Sequence, residues 1–352
     1  MTFTDSRRGL GLATGGVGFA GRKAPGPDVP VTEAEIDLKG IPTGAVVQTT
    51  YLYFVHYGTD GVDTLTIDGT PITGTLIGTS ASTCWGDYTG AFNRVYRADV
   101  TALAKTNGKY KLTDLPLTVP GISDGQGASL VVIYDNPTST DRGTVHLMDG
   151  AITVDPGNSG QGTFPSVVGD GVTAATFRLG VGDGQVEFFD GPLNFNTMGL
   201  PAVDGGHFYP GSAGAYWDDL SFDVLARIPK GTKNLRWSQS YFNDCVVFAY
   251  TALVLTNPLG PPDGGADAGL VDGGTPGPGP GDGGSIDGGG GGGGGGGASD
   301  GGASDAESEG GCGCHIHSTA SAAPGALLAL AALGVVARLQ RRHRKNGRRR
   351  GS

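Results

Sequence analysis

The first 258 residues alternate between short apolar runs and turn signals. The longest run, residues 46–57, is rich in β-branched and aromatic residues, and Thr64–Ile67 alternates before the turn Asp68-Gly69. No stretch sustains a helical period over three turns. The pattern predicts an all-β body of antiparallel sandwiches. The predicted strands are residues 46–57, 64–67, 109–113, 129–134, 144–148, 173–181, 185–189, 221–226, 234–239 and 245–255.

A short internal repeat divides this body. In the first half Asp99-Val100 precedes a Lys/Gly turn, an apolar strand and Asn136-Pro137, and in the second half Asp223-Val224 precedes the same series and Asn257-Pro258. The repeat predicts two tandem jelly-roll-like units, residues 30–150 and 151–258. Chance convergence of turn chemistry is the alternative. Residues 1–29 precede the first unit and are predicted to be a leader, either a weak export signal or a mis-assigned start.

Glycine is strongly enriched in the segment that follows. Residues 259–311 consist mainly of Gly, Pro, Ala, Ser and Asp, with nine acids, no base and ten consecutive glycines at 288–297. Such a segment buries too little apolar surface to offset its ordering entropy. It is predicted to be a disordered, self-repelling acidic linker.

The charge is distributed unevenly. The net charge is −10, but residues 338–350 contain eight Arg or Lys and no acid, so the rest of the chain has 16 basic and 34 acidic residues. A body this acidic repels phosphate backbones, which argues against nucleic acid as a partner. The basic cluster follows an apolar run, which favours a membrane stop signal.

The C-terminal residues 312–352 combine cysteines, an apolar segment and arginines. Cys312 and Cys314 precede the 16 apolar residues 322–337, which predict a short transmembrane helix, slightly below the usual ~17–25 residues. Arg338, Arg341 and Arg342 then form the membrane stop on the cytoplasmic side. A zinc site formed by Cys312, Cys314 and the nearby histidines is the alternative, but its spacing is too tight for a structural finger.

This order of cysteine, Pro-Gly-Ala-Leu-Leu-Ala-Leu and terminal arginines resembles the MYXO-CTERM sorting tail over about residues 311–350. The resemblance implies an exported protein at the cell surface or outer membrane. It also implies a dedicated sorting protease that cleaves near the cysteine, and lipid attachment at Cys312 or Cys314. The membrane is then a partner through the helix before processing or through the lipid after it.

The body contains two cysteines, Cys84 and Cys245. In an oxidising compartment they are expected to form a disulfide. The alternative is a nucleophilic Cys84 paired with one of the body histidines, His56, His146 or His207, although none of them has a recognisable protease context.

Two sets of side chains are candidate binding sites. Asp218, Asp219 and Asp223 could ligate a structural calcium ion, with turn-forming and capping aspartates as the alternative. No other cofactor is predicted. The aromatic residues nearest to such turns are candidate ligand contacts, with a core position as the alternative. These aromatic residues are Trp85, Tyr88, Tyr216 and Trp217.

Four body segments also resemble the domain of unknown function numbered 3344, which occurs in secreted and surface proteins. The segments are residues 83–86, 95–101, 127–134 and 217–224. The resemblance implies β-sandwich modules without assigned catalytic residues. The function expected from the whole sequence is a surface-anchored, non-enzymatic module that binds an unidentified extracellular glycan or protein. A secreted hydrolase with Asp-based or metal-assisted chemistry and a passive structural component of the envelope are the alternatives.

Overall fold

The computed structural model describes residues 1–21, 29–80, 90–116, 123–165, 171–185 and 188–259. These ranges contain twenty β-strands, one 3-10 turn at Leu225–Arg227 and no α-helix. The first strands are β1 Phe3–Arg8, β2 Leu10–Gly18, β3 Ala20–Gly21, β4 Val29–Pro30, β5 Glu33–Leu38, β6 Val46–Gly58, β7 Thr64–Ile67, β8 Thr70–Thr73, β9 Thr75–Thr79, β10 Phe92–Asp99, β11 Gly108–Thr113 and β12 Ser123–Asp135. The others are β13 Asp141–Val154, β14 Gly160–Pro165, β15 Ala174–Gly182, β16 Leu193–Phe195, β17 Met198–Gly199, β18 Trp217–Asp223, β19 Asn234–Gln239 and β20 Val246–Pro258.

The all-β prediction is confirmed, and the strands form four main antiparallel sheets. The first pair of sheets has the orders β2-β12-β6-β10-β9 and β5-β11-β7-β8, and the second pair has the orders β1-β13-β20-β15-β18 and β14-β19-β16-β17. Apart from the edge strands β1 and β9, each pair has eight strands in the order of a jelly roll. We call the pairs the first and second sandwich, and the five-stranded sheet of each its inner sheet.

Three apolar clusters fill the spaces between these sheets. The first cluster lies within the first sandwich, the second lies within the second sandwich, and the third joins the two inner sheets. In β6, Leu52 and Phe54 belong to the first cluster, whereas Tyr53 and Val55 belong to the third. Successive side chains of a strand point to opposite faces, so β6 is buried on both faces. This explains why β6, β12 and β20 are nearly continuous apolar runs.

The internal repeat of the sequence corresponds to equivalent strands. Asp99-Val100 follows the body of β10, and Asp223-Val224 follows that of β18. Each of these strands is the sixth of the eight in its sandwich. The next two strands are β11 and β12 in the first half, and β19 and β20 in the second. The repeated segments therefore occupy the same place in two sandwiches of the same topology.

The N-terminal residues differ from the prediction of a leader. Residues 3–8 form β1, which pairs with β13 in the second sandwich, and residues 10–18 form β2, which pairs with β12 in the first. Gly9 connects them with a φ of 69°, in the left-handed region that favours glycine. The glycines of β2 belong to the packing: a Cβ on Gly16 would lie 2.7 Å from the Oγ of Ser129. These residues form strands in the structure, and the prediction of an export signal within residues 1–29 stays a prediction.

Two further predictions need correction. The boundary between the units does not fall at residue 150, because β13 runs continuously from Asp141 to Val154. Residues 185, 188 and 189 belong to a loop and not to the predicted strand 185–189.

The predicted linker from residue 260 onward and the whole C-terminal segment lie outside the described residues. In the part of the chain that is described, no helix has the length and apolar character needed to cross a membrane.

Candidate functional site

The predicted aromatic contacts have different locations. Trp85 and Tyr88 lie outside the described residues, and Tyr216 is half-buried in a turn with a φ of 67°. Trp217 is fully buried between the two inner sheets, where its Nε1 donates a hydrogen bond of 2.9 Å to the Oγ of Ser129. Trp217 therefore has the core position that was its alternative, and it has no face available to a ligand.

The three predicted calcium ligands accept hydrogen bonds from the protein itself. The Asp218 carboxylate accepts from the backbone amides of Gly211 and Ser212 at 2.9 and 2.6 Å. Burial, opposed by these hydrogen bonds, raises the pKa of Asp218 to about 6. The Asp223 carboxylate accepts from the amide of Leu225 at 2.9 Å, as a capping aspartate does.

Asp219 is adjacent to Asp218 in β18, so their side chains point to opposite faces. Its carboxylate accepts hydrogen bonds from the hydroxyls of Ser129, Thr14 and Tyr250 at 2.6, 2.7 and 2.9 Å. Burial raises the pKa of Asp219, and these hydroxyls oppose the shift. Across the described residues no group of three His, Cys, Asp or Glu side chains is arranged to hold a metal ion. The three aspartates thus stabilise turns and the contact between the sandwiches.

The structure describes one of the two cysteines that are predicted to form a disulfide. Cys245 is buried directly before β20 and is disulfide-bonded. Cys84 lies outside the described residues, so the pairing of Cys84 with Cys245 stays a prediction. Cys312, Cys314, Arg338, Arg341 and Arg342 also lie outside the described part of the chain.

A different set of residues forms an exposed aromatic surface at one end of the second sandwich. The ring of Phe189 stacks on the imidazole of His207 with centroids 4.3 Å apart and an angle of 14° between the planes. Phe189 is 46% exposed and Phe242 is 62% exposed. We call Phe189, His207 and Phe242 the aromatic patch.

Backbone hydrogen bonds hold the loops of the aromatic patch together. The Phe189 amide donates to the Oδ1 of Asn243 at 2.7 Å, and the Asn243 amide donates to the Phe189 carbonyl at 3.3 Å. Phe242 directly precedes Asn243, so its backbone lies beside Phe189. The Nδ1 of His207 lies 2.7 Å from the Phe188 carbonyl, which fixes the imidazole beneath Phe189. The patch is therefore assembled from three loops that are far apart in the sequence.

Buried carboxyl groups lie behind the aromatic patch. Asp183 follows β15, Asp190 follows Phe189, and Asp244 precedes Cys245, and all three are at most 8% exposed. The Oδ2 of Asp190 accepts hydrogen bonds from the amides of Phe208 and Tyr209 at 2.9 and 2.8 Å. These two residues follow His207 directly. The carboxyl groups thus hold the loops that carry the patch.

Sequence reasoning did not identify this surface. Phe189 ends a predicted strand, and the Asp190-Gly191 pair that follows it is typical of a turn. Phe242 and Asn243 lie between two predicted strands, and a phenylalanine followed by two polar residues in such a loop is the one local signal for an exposed aromatic side chain. The pairing of the three loops depends on the strand order, which the local pattern does not specify.

Comparisons with known proteins give no family assignment. No family model matches the chain, and no curated protein matches it.

Several solved structures are similar to part of it at low scores. BuGH86wt in complex with neoagarooctaose has a TM-score of 0.26 and 14% identity, over 72% of this chain and 33% of that chain. BpGH86A, a β-porphyranase of glycoside hydrolase family 86 from Bacteroides plebeius, has a TM-score of 0.25 and 10% identity, over 68% and 36%. The ANX2 ectodomain from Arabidopsis thaliana has a TM-score of 0.24 and 9% identity, over 73% and 89%. The chain spans about a third of the length of the two glycoside hydrolases. We infer neither ligand nor activity from similarity at this level.

Proposed function

We propose that this protein is an exported, surface-anchored binding module that recognises glycans through the aromatic patch. The observation that carries the proposal is the exposed ring of Phe189, stacked on His207, beside the more exposed Phe242. Large aromatic side chains are costly to leave in water, and exposed aromatic side chains on hydrogen-bonded loops of a folded domain are typical of a binding surface.

A pyranose ring fits such a surface for a physical reason. One face of the sugar presents C–H bonds with small positive partial charges, and the face of an aromatic ring is negative. Phe189 is held against His207 and between backbone hydrogen bonds, so little side-chain freedom is lost when a ligand stacks on it. The exposed Asp204, whose backbone is bonded to that of His207, can accept hydrogen bonds from sugar hydroxyls. Because the exposed carboxylate of Asp204 repels anions, neutral glycans are favoured over uronates.

A non-catalytic role is part of the proposal. Hydrolysis of a glycosidic bond generally requires two carboxyl groups that reach the bond from either side. Asp190 and Asp244 are 8% and 2% exposed and are directed into the protein, where they bond backbone amides. Ligand stacked on the aromatic patch would therefore not contact them.

In this proposal the rest of the chain holds the β-rich body at the cell surface. Residues 259–311 would be a flexible acidic spacer, and the C-terminal segment would be the sorting signal that a protease removes. Lipid on Cys312 or Cys314 would then hold the protein at the surface. A Cys84–Cys245 disulfide, suited to the oxidising compartment, would stabilise the body.

A glycan array probed with the full-length protein tests the proposal. We expect neutral oligosaccharides to bind, and we expect Phe189→Ala and Phe242→Ala to lose at least tenfold in affinity. Leu76→Ala is the matched control, because Leu76 is 49% exposed on β9 of the first sandwich, away from the patch. Equal binding by all four proteins, or no glycan bound above background, would overturn the proposed site. Release of new reducing ends from any bound glycan would overturn the non-catalytic role, and loss of binding in EDTA would show a metal requirement.

A further inference from the structure

We propose that Asp183, Asp190 and Asp244 form a proton-held latch that keeps the aromatic patch assembled and opens as the pH rises. The inference rests on the proposed function for its biological meaning, because it describes the regulation of the same surface. The latch itself is a property of the fold that is measured without any glycan.

The three carboxyl groups come from three separate elements that meet behind the patch. The Oδ1 of Asp244 accepts a hydrogen bond from the Cys245 amide at 2.8 Å. The Oδ1 of Asp183 accepts a hydrogen bond of 3.2 Å from the Nε2 of Gln185. Together with Asp190, which holds the two residues after His207, these groups connect every loop of the patch.

Two carboxyl oxygens in this cluster accept no hydrogen bond from the described residues. They are the Oδ1 of Asp190 and the Oδ2 of Asp244, and both are buried. An ionised carboxylate in this position would have lost its hydration without replacement, which is costly. Protonation removes the charge of such a buried carboxylate and therefore avoids this cost.

The charges that face Asp244 raise its pKa in the same direction as burial, whereas the charge that faces Asp190 opposes burial. Burial raises the pKa of Asp244, and the negative charges of Asp183 and Asp190 raise it further. Burial also raises the pKa of Asp190, while the amides of Tyr209 and Phe208 and the charge of His207 oppose the shift. A fourth buried carboxyl group, that of Asp218, is close enough to Asp190 for the charge of Asp190 to raise its pKa. Among the described residues, His207 is the basic group that faces Asp190.

The direction of the pH effect follows from linkage. An aspartate in an opened loop has a pKa of about 3.9, whereas in the closed latch the pKa of Asp244 is raised to about 9. Between these values the closed form holds a proton that the open form has released. The closed form is therefore most stable at acidic pH and loses stability as the pH rises toward 9. One such proton changes the opening equilibrium by up to about tenfold per pH unit.

Hydrogen exchange of the full-length protein tests this directly. The amides of Phe208, Tyr209 and Cys245 report on the latch, and protection factors corrected for intrinsic exchange are compared between pH 6 and pH 9. We expect protection in the wild type to fall at least about tenfold over this interval. Asp244→Asn keeps an acceptor for the Cys245 amide and is neutral at every pH, so its protection should change by less than threefold.

Two further variants keep the test decisive. Asp223→Asn is the control, since Asp223 is exposed and accepts a hydrogen bond from the Leu225 amide. Protection in this variant should depend on pH as it does in the wild type. Asp190→Asn removes one of the charges that raise the pKa of Asp244, so its slope should be smaller than that of the wild type, and it keeps the test open if Asp244→Asn does not fold. A pH-independent wild type, an unchanged slope in the neutral variants, or protection restored at pH 9 by calcium chloride would overturn the latch. Failure of glycan binding with the slope intact would overturn only the proposed function.

Discussion

A single methyl group added at the contact between the two sandwiches should lower the stability of the protein. Gly127 lies in β12 directly beneath Trp217, and a Cβ at this position would lie 2.6–2.7 Å from the Cβ, Cγ and Cδ2 atoms of the tryptophan. Carbon atoms at optimal contact are about 3.5–4.0 Å apart. Gly127→Ala therefore requires β12 and β18 to separate by about 1 Å where both are buried.

The expected loss of stability combines two opposing effects. Overpacking of a well-packed core typically costs about 1–3 kcal/mol. Replacing glycine by alanine restricts the unfolded chain, which stabilises by about 0.4–1 kcal/mol. The free energy of unfolding should thus fall by about 1–2 kcal/mol. For a body of this size that corresponds to a Tm lower by about 2–8 °C.

Thermal unfolding followed by far-UV circular dichroism measures this shift. Gly199→Ala is the matched control, because Gly199 is also in a strand and its nearest contact for a new Cβ is the Oδ1 of Asn194 at 3.9 Å. We expect the Tm of this variant to stay the same or to rise slightly. If Gly127→Ala also raises the Tm, the tryptophan does not lie against β12 and the described contact between the sandwiches is wrong.

Two other predictions concern the same contact and the N-terminal strands. Tyr250→Phe removes a hydroxyl that donates to Asp219 at 2.9 Å, so the free energy of unfolding in urea should fall by about 1–3 kcal/mol. An unchanged urea midpoint would contradict the role of this hydrogen bond. The backbone amides of Phe3–Arg8 and Leu10–Gly18 that donate to β13 and β12 should exchange slowly in the native protein, since both segments are strands of the inner sheets. Exchange at the rate of an unstructured peptide would support a leader instead.

The inner strands were predictable because their burial leaves a direct mark on the sequence. Residues buried on both faces are mostly apolar, as in residues 52–55 of β6, 130–133 of β12 and 246–250 of β20, and this pattern does not depend on the partner strand. The repeat of Asp-Val, strand and Asn-Pro was also visible, because equivalent turns in the two sandwiches use the same chemistry. The strand β2 was missed because its glycines have a packing role, which becomes apparent only once Ser129 and Trp217 lie opposite Gly16.

The site was less predictable than the fold. Trp217 and the aspartates beside it form a conspicuous group in the sequence, but alternation along β18 separates Asp218 from Asp219, and the tryptophan faces the core. Phe189, His207 and Phe242 are separated by 18 and 35 positions and become neighbours only through the strand order. The buried carboxyl groups behind them were equally unpredictable, since each is an ordinary turn aspartate in its own segment and the strand order brings them together.

The most direct test of the aromatic patch as a glycan-binding surface is isothermal titration calorimetry of the full-length protein at pH 6. The ligand is the neutral oligosaccharide that gives the strongest signal on the array. We expect saturable binding that weakens at least tenfold in Phe189→Ala and Phe242→Ala and is unchanged in Leu76→Ala. The Tm of all variants should stay within about 2 °C of the wild type. Undiminished binding by the two phenylalanine variants would contradict the assignment of the aromatic patch as the ligand-binding surface.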